Sequence, residues 1–258
     1  MKCMAFFNEK GGVGKTTMST LFSSYLSYHC GEKVIAVDTE CPSFRMLSNR
    51  ESDLKQMAVP DSPLRKFVLA DSSRRHEPYP IMTVGCEVNT YTKSDMQQLI
   101  DTMVTLKEES EYDYCIIDFP AGFSAKSPVS VLASCGVIDL VAVPVDTDAQ
   151  TRKAGLRVAD AMHRAGIETV IFWNRVTAAE LREGGRLSSG EKIFNDYGLS
   201  FLPQRVKAFE KARRESDSSG RIFVRNTICW PQRYVEMNCP VLPQLFAEIK
   251  QRLDSIPD

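Results

Sequence analysis

The sequence predicts an α/β fold of three layers, a mostly parallel, twisted β-sheet flanked by helices. Three observations predict it. Short apolar runs alternate with helical patterns along the 258 residues, the order that builds a parallel sheet with crossover helices on both faces. A glycine-rich run, Lys10-Gly11-Gly12-Val13-Gly14-Lys15-Thr16-Thr17, follows directly on the first apolar run. Two further apolar runs end in aspartate, at Asp38 and Asp118, and the C-terminal ends of strands line the ligand crevice of open α/β sheets. The length suits one domain, 1–258, with a substantial core.

Residues 3–7 form the first predicted strand and 15–28 its helix. Residues 33–37 form the next strand, closed by Asp38. The stretch 48–80 is polar, holds four prolines and a charged run, and reads as a surface excursion with a short helix or two. A strand follows over 81–84 and a helix over 95–109. Residues 114–118 form a strand, and Ser127-Pro128 supplies an N-cap serine and a proline at the first helical position. The pattern then gives a strand over 138–143 bounded by Pro144, a helix over 149–165 closed by Gly166, and a strand over 169–173. Leu242, Leu245, Phe246, Ile249 and Leu253 share one helical stripe over 241–253.

Charged residues are 25% and hydrophobic ones 43% of the chain, the balance of a folded globular domain. A net charge of −1 gives no global attraction to nucleic acid or anionic lipid, so such binding would need a local patch. The eight cysteines show no CxxC pair or close Cys/His cluster, and read as small buried hydrophobes in a reducing cytoplasm. No leader and no apolar run of bilayer length is evident. The glycine-rich run lies so near Met1 that no separate N-terminal DNA-binding domain is expected.

Gly14-Lys15-Thr16 completes the phosphate-binding pattern of glycine, four residues, then Gly-Lys-Ser/Thr, except that Glu9 stands where the first glycine belongs. Glycines let a backbone turn with positive φ and approach an anion closely. The N–H groups of Gly11, Gly12, Val13 and Gly14 and the following helix N-terminus then face phosphate oxygens. Lys15 neutralises β/γ-phosphate charge, Thr16 ligates Mg²⁺ and Thr17 reaches the α-phosphate. The plainer alternative is a β–α turn with incidental lysines. Asp118, at the end of an apolar strand and before Phe119-Pro120-Ala121-Gly122, can hold a metal-bound water.

The loop resembles the deviant Walker A loop of the ParA/MinD family of dimerising P-loop ATPases, closest to short ParA-type partition proteins. The resemblance continues at intervals to about Ala212. It implies that Lys10 reaches across a nucleotide-sandwich dimer to the partner's phosphates, in the manner of an arginine finger. It also implies that Asp38 orients the attacking water; a carboxylate that caps the next helix is the alternative. Here Asp38-Thr39-Glu40-Cys41-Pro42-Ser43 departs from the family's Asp-x-Asp-Pro-Gln, which puts the switch behaviour in doubt. Asp118-Phe119-Pro120-Ala121-Gly122 is similar to the family's Walker B element. Asn174 and Pro203 match positions that lie near adenine; Asn174 reads otherwise as a turn residue after a strand.

Over residues 203–225 seven cations stand against three carboxylates, leaving +4. The resemblance implies nonspecific DNA binding in this part of the chain, with Arg205, Lys207, Lys211, Arg213 and Arg214 as candidate phosphate contacts; a solvated, ion-paired face is the alternative. The 241–253 stripe has a polar face without basic bias, so a packed helix is expected rather than the membrane-binding helix of MinD-like relatives. Taken together, the resemblance implies a cytoplasmic, nucleoid-associated ATPase switch that uses ATP and Mg²⁺. It would form an ATP-dependent homodimer and partition or position a plasmid, chromosome or mobile element. A partner protein of partition-adaptor type would stimulate its hydrolysis. The alternative is a nucleotide-dependent interaction module in conjugative transfer or in placing a protein assembly, with little turnover and no DNA binding.

Overall fold

The computed structural model describes residues 1–71, 77–85, 91–183, 185–208 and 227–257. Its strands are β1 (Lys2–Phe6), β2 (Val34–Asp38), β3 (Ile81–Thr83), β4 (Tyr114–Asp118), β5 (Leu140–Val145), β6 (Glu168–Val176) and β7 (Phe201–Lys207). They form one sheet in the order β3-β2-β4-β1-β5-β6-β7, and every strand pair in it is parallel. The order reverses direction around β1, which places the glycine-rich loop at the crevice between the two halves.

The central strands β1, β2, β4 and β5 are buried on both faces, so alternate residues enter two separate cores. Cys3, Ala5 and Phe7 join Ile117, Val141 and Val158 in one. Met4 and Phe6 join Phe22, Ile116, Phe172 and Phe246 in the other. The first core is covered by α4 (Lys93–Glu109), α5 (Pro128–Ser134), α6 (Ala149–Arg164) and α8 (Gly185–Asn195), with the short α7 (Ala178–Glu183) preceding α8. The second is covered by α1 (Lys15–Ser24), α2 (Arg45–Ala58) and the closing helix Val241–Ser255. All five apolar residues of the predicted closing stripe are fully buried there.

Several boundaries differ from the sequence reading. The helix after the loop passes at Tyr25 into a π-helical turn, Tyr25–Cys30, which ends at Gly31 in a left-handed conformation (φ 79°). In the described part of 48–80, α2 packs on the sheet and α3 (Pro63–Asp71) packs beside it. The buried residues of α2 are Met46, Arg50 and Asp53, a stripe that is two-thirds charged and therefore invisible to a hydrophobic period. Strand β5 runs through Pro144, which pairs in register with Phe172 of β6. That is tolerated because its missing N–H lies on the β1 side, beyond the last β1–β5 pair, and its carbonyl there accepts from Asn8 Nδ2 at 2.9 Å. Strand β6 continues to Val176, so Asn174 sits within a strand, not in a turn. Ser127 occupies the N-cap position of α5 without a side-chain cap; its hydroxyl donates instead to the Ser124 carbonyl at 2.8 Å. Among the described cysteines, Cys30 and Cys135 are exposed and the other five buried; Cys86 lies outside the described residues.

Candidate nucleotide site

The loop between β1 and α1 is shaped by residues that come to it from other strands. Gly12 (φ 77°) and Gly14 (φ 94°) are left-handed. A Cβ at Gly14 would lie 2.9 Å from Asn174 Nδ2, so that position requires glycine for both its torsion and its neighbour. Asn174 Nδ2 donates to the Val13 carbonyl at 2.8 Å, and Arg175 Nη1 donates to the Gly12 carbonyl. Arg175 is itself left-handed (φ 61°). In a trans peptide the C=O and the next N–H point in opposite directions. Pinning the Gly12 and Val13 carbonyls toward β6 therefore turns the Val13 and Gly14 N–H groups the other way, as an anion cradle requires. On the β5 side, buried Asn8 accepts from the Lys10 N–H at 2.9 Å while its amide donates to Pro144 and Thr151 carbonyls at 2.9 and 3.4 Å. The Walker B turn is tied in as well, through the Gly122 N–H to the Glu9 carbonyl at 3.1 Å.

Lys15 opens α1 and is only 8% exposed. Its ammonium donates to the Lys10 carbonyl at 3.3 Å. Burial pushes its pKa down, opposed by the nearby charges of Asp118 and Glu40. Lys10, by contrast, is exposed, and its Nζ donates to Gln150 Oε1 at 2.8 Å on the first turn of α6. Thr16 follows Lys15 and is partly exposed.

Asp38 and Asp118 end adjacent strands and pair in register. Both are fully buried. Asp118 Oδ1 accepts from Ser19 Oγ at 3.3 Å, whereas its Oδ2 is buried without a hydrogen-bond partner. Burial raises the Asp118 pKa to about 7, with Asp38 and Glu40 adding to the rise and the Thr16 hydroxyl and Lys15 opposing it. Asp38 is engaged differently. Its Oδ2 accepts from the Met46 and Leu47 N–H groups at 2.7 and 3.3 Å, and its Oδ1 from the Glu40 N–H at 3.1 Å. The helix-capping arrangement weighed from sequence is thus present, and α2 has no cap from its own N-cap residue, Phe44. Burial raises the Asp38 pKa, against the lowering effect of these amides. A carboxylate offers about four lone-pair positions, so one on Oδ1 remains for a water.

A partnerless buried carboxylate oxygen beside a hydroxyl and an ammonium is the donor set that Mg²⁺ and a phosphate chain fit: hard oxygens for the cation, a point charge for the anion. Among the described residues no group of three or more His, Cys, Asp or Glu could hold a metal ion.

The other predicted residues are placed less centrally. Gly11 and Thr17 lie on the loop and in the first turn of α1. Pro203 is exposed on the edge strand β7. Arg205 Nη2 donates to Glu191 Oε1 at 3.1 Å, an oxygen that also accepts from Trp173 Nε1 at 2.8 Å. This guanidinium therefore already has a carboxylate partner, the ion-paired alternative. Lys207 is exposed at the end of β7. Lys211, Arg213 and Arg214 lie outside the described residues. Sequence reasoning missed Asn8, Ser19 and Arg175; only Asn8 had a local signal, its place directly before the loop.

A family model described as an AAA domain matches residues 1–158. The chain belongs to that family. It is 29% identical over 161 residues to the sporulation initiation inhibitor protein Soj of Bacillus subtilis, covering 57% of this chain and 59% of Soj. It is 30% identical over 148 residues to the uncharacterized protein BBD21 of Borreliella burgdorferi, covering 54% and 58%. The chain thus spans a little under three-fifths of the length of these curated relatives. Among solved structures it is similar to the MinD cell division protein of Aquifex aeolicus, at 16% identity and TM-score 0.64 with 100% and 99% of the two chains covered. It is also similar to a Cyanothece McdA–ATP complex, at 17% identity and TM-score 0.63 with 100% and 98% covered. These likenesses establish the three-layer fold of the chain. Among the described residues no helix is long and apolar enough to cross a membrane.

Proposed function

We propose that the chain is an ATP-hydrolysing switch that dimerises on Mg·ATP and positions DNA. The observation that supports this most directly is the buried, partnerless Oδ2 of Asp118 beside Thr16 and Lys15. In this reading Gly11, Gly12, Val13 and Gly14 cradle the phosphates with their N–H groups, Lys15 and Thr17 hold phosphate oxygens, and Thr16 with Asp118, through water, holds Mg²⁺. Bound Mg²⁺ would neutralise charge on the phosphoryl group being transferred. Asp38 accepts a hydrogen of the attacking water at its remaining lone pair while still capping α2. Asn174 holds the loop from the base side, and Pro203 lies farther along the sheet edge. Lys10 points outward in the monomer, the orientation a contact to a partner's phosphates needs.

Lys10→Ala is expected to leave monomer nucleotide affinity within about twofold, because the Lys10 side chain bonds to Gln150 on α6 rather than to its own loop, and to abolish ATP-dependent dimers. Nucleotide titration beside light scattering distinguishes the two effects; dimers and turnover that persist in the variant overturn the trans role.

The +4 stretch over 203–225 supports DNA as the cargo. With Arg205 held by Glu191, the phosphate contacts fall to Lys207 and to Lys211, Arg213 and Arg214. Retention on nonspecific duplex DNA with ATP, with ADP and with no nucleotide, across a salt series, tests this. ATP-dependent binding that weakens steeply with salt and with Arg213→Glu or Arg214→Glu is expected. Dimerisation without DNA retention in any state would favour the interaction-module reading, in which the cargo is protein and an adaptor partner reads the dimer.

A further inference from the structure

The helix that Asp38 caps is bolted midway along its length to a distant part of the chain. Met46, Arg50 and Asp53 lie at helical spacing on one buried face of α2. Met46 is held by Asp38, as described above. Arg50 Nε donates to Thr227 Oγ1 at 2.8 Å and its Nη2 to the Thr227 carbonyl at 2.9 Å. Asp53 Oδ2 accepts from both the Thr227 N–H at 2.7 Å and the Thr227 hydroxyl at 2.9 Å. Every polar atom of Thr227 is therefore taken by α2, and its carbonyl also accepts from Tyr28 Oη at 2.8 Å. Arg50 is fixed in turn by the Tyr79 carbonyl at 2.7 Å and by the Tyr79 ring, 4.7 Å from its guanidinium carbon to the centroid.

Two charged side chains buried to grip one threonine are an inefficient way to gain stability, since desolvation offsets much of what the bonds return. What such a cluster secures is a fixed register between elements. Thr227 stands two residues beyond the end of the basic stretch over 203–225 in sequence. We propose that Arg50 and Asp53 are positioning residues that make α2 a strut between Asp38 and Thr227, so that nucleotide occupancy is transmitted to the chain beside the basic stretch. The proposal rests on the ATP-binding reading above and adds the residues that pass its signal on. The helix is the physical link: a small shift of the Asp38 carboxylate moves the Met46 and Leu47 amides, and α2 moves Thr227 with them, because neither end has slack.

Amide hydrogen exchange tests it, with and without a Mg-bound non-hydrolysable ATP analogue, in the wild type and in Asp53→Asn and Thr227→Val. In the wild type the analogue is expected to change exchange at Met46–Leu47 and at Thr227 together. Asp53→Asn removes a charge-assisted bond, and faster basal exchange at Thr227 by about tenfold or more is expected. It should also disconnect the ends, so that Met46–Leu47 still respond and Thr227 does not. Thr227→Val deletes only the hydroxyl and keeps the backbone bonds; it gives a partial loss of coupling and remains informative if Asp53→Asn folds poorly. A purely structural cluster would lower stability in both variants and leave the linked response intact. Binding of the analogue with a response at Met46–Leu47 but none at Thr227 in the wild type overturns the strut alone. Failure of the analogue to bind the wild type overturns the ATP reading and the strut with it.

Discussion

Lys15→Ala is expected to abolish Mg·ATP binding while leaving the nucleotide-free protein as stable as the wild type. The two halves of this expectation have one cause. The Lys15 ammonium is buried, and its only hydrogen bond among the described residues is a single 3.3 Å contact to a carbonyl. The fold pushes its pKa down, so the charged form is less favourable here than in water. Removing the ammonium relieves that cost, which offsets the lost packing of its aliphatic stem. With a triphosphate bound, the same ammonium becomes the main counter-charge in a closed loop. Truncating one partner of such a pair costs on the order of 2–5 kcal/mol, roughly thirtyfold to several thousandfold in affinity. Thermal unfolding with and without Mg·ATP checks both halves. The wild type should gain stability with ligand and the variant should not, while their ligand-free midpoints agree within a few degrees. A ligand-free midpoint that collapses in the variant would show that Lys15 is a structural residue. A preserved ligand shift would remove the loop from the proposed site.

The loop itself was legible because its chemistry is contiguous: glycines, lysines and threonine adjoin each other, and an apolar strand precedes them. Asp118 was legible for a similar reason, since Tyr114–Asp118 is an unbroken buried run with one carboxylate at its end. Elements whose logic is tertiary were not legible. The helix α2 hides because Arg50 and Asp53 occupy positions where a periodicity search expects leucine. Pro144 looks like a strand terminator until β1 is seen to stop short of it. Asn174 and Arg175 look like the end of a strand, and only the approach of β6 to the loop shows that both hold loop carbonyls. Asp38 is the mixed case. Its carboxylate caps α2 through the Met46 and Leu47 amides, as one reading has it, and the lone pair left after the Glu40 contact leaves room for the water-orienting role proposed for it.

The charge state of Asp118 ties metal binding to stability in a way that pH exposes. Burial raises its pKa to about 7 in the folded protein from the ordinary 3.8, so between these pH values the native state holds a proton that the unfolded state has lost. Stability from this group is therefore fully present below about pH 4 and is lost as pH rises through about 7. With a slope of at most about 1.4 kcal/mol per pH unit, the ceiling is on the order of 4 kcal/mol. Asp38, also raised by burial, acts in the same direction. In the proposed site Mg²⁺ would reverse the sign, because it would need the carboxylate and its binding would expel the proton. The nucleotide-free protein is thus expected to weaken from pH 5 to pH 8, while the extra stability given by Mg·ATP over ATP alone grows across the same range. Asp118→Asn keeps the shape of the side chain without the titration. It should flatten most of the ligand-free pH profile, unfold later than the wild type at pH 8, and lose the Mg²⁺-dependent increment at every pH. Denaturant unfolding at several pH values, with EDTA and with Mg·ATP, measures all three. An Asp118→Asn profile that still tracks the wild type would place the titrating group elsewhere and leave the partnerless oxygen as a packing feature. A Mg²⁺ increment retained in the variant would move the metal away from Asp118, and the hydrolytic reading of the site would go with it.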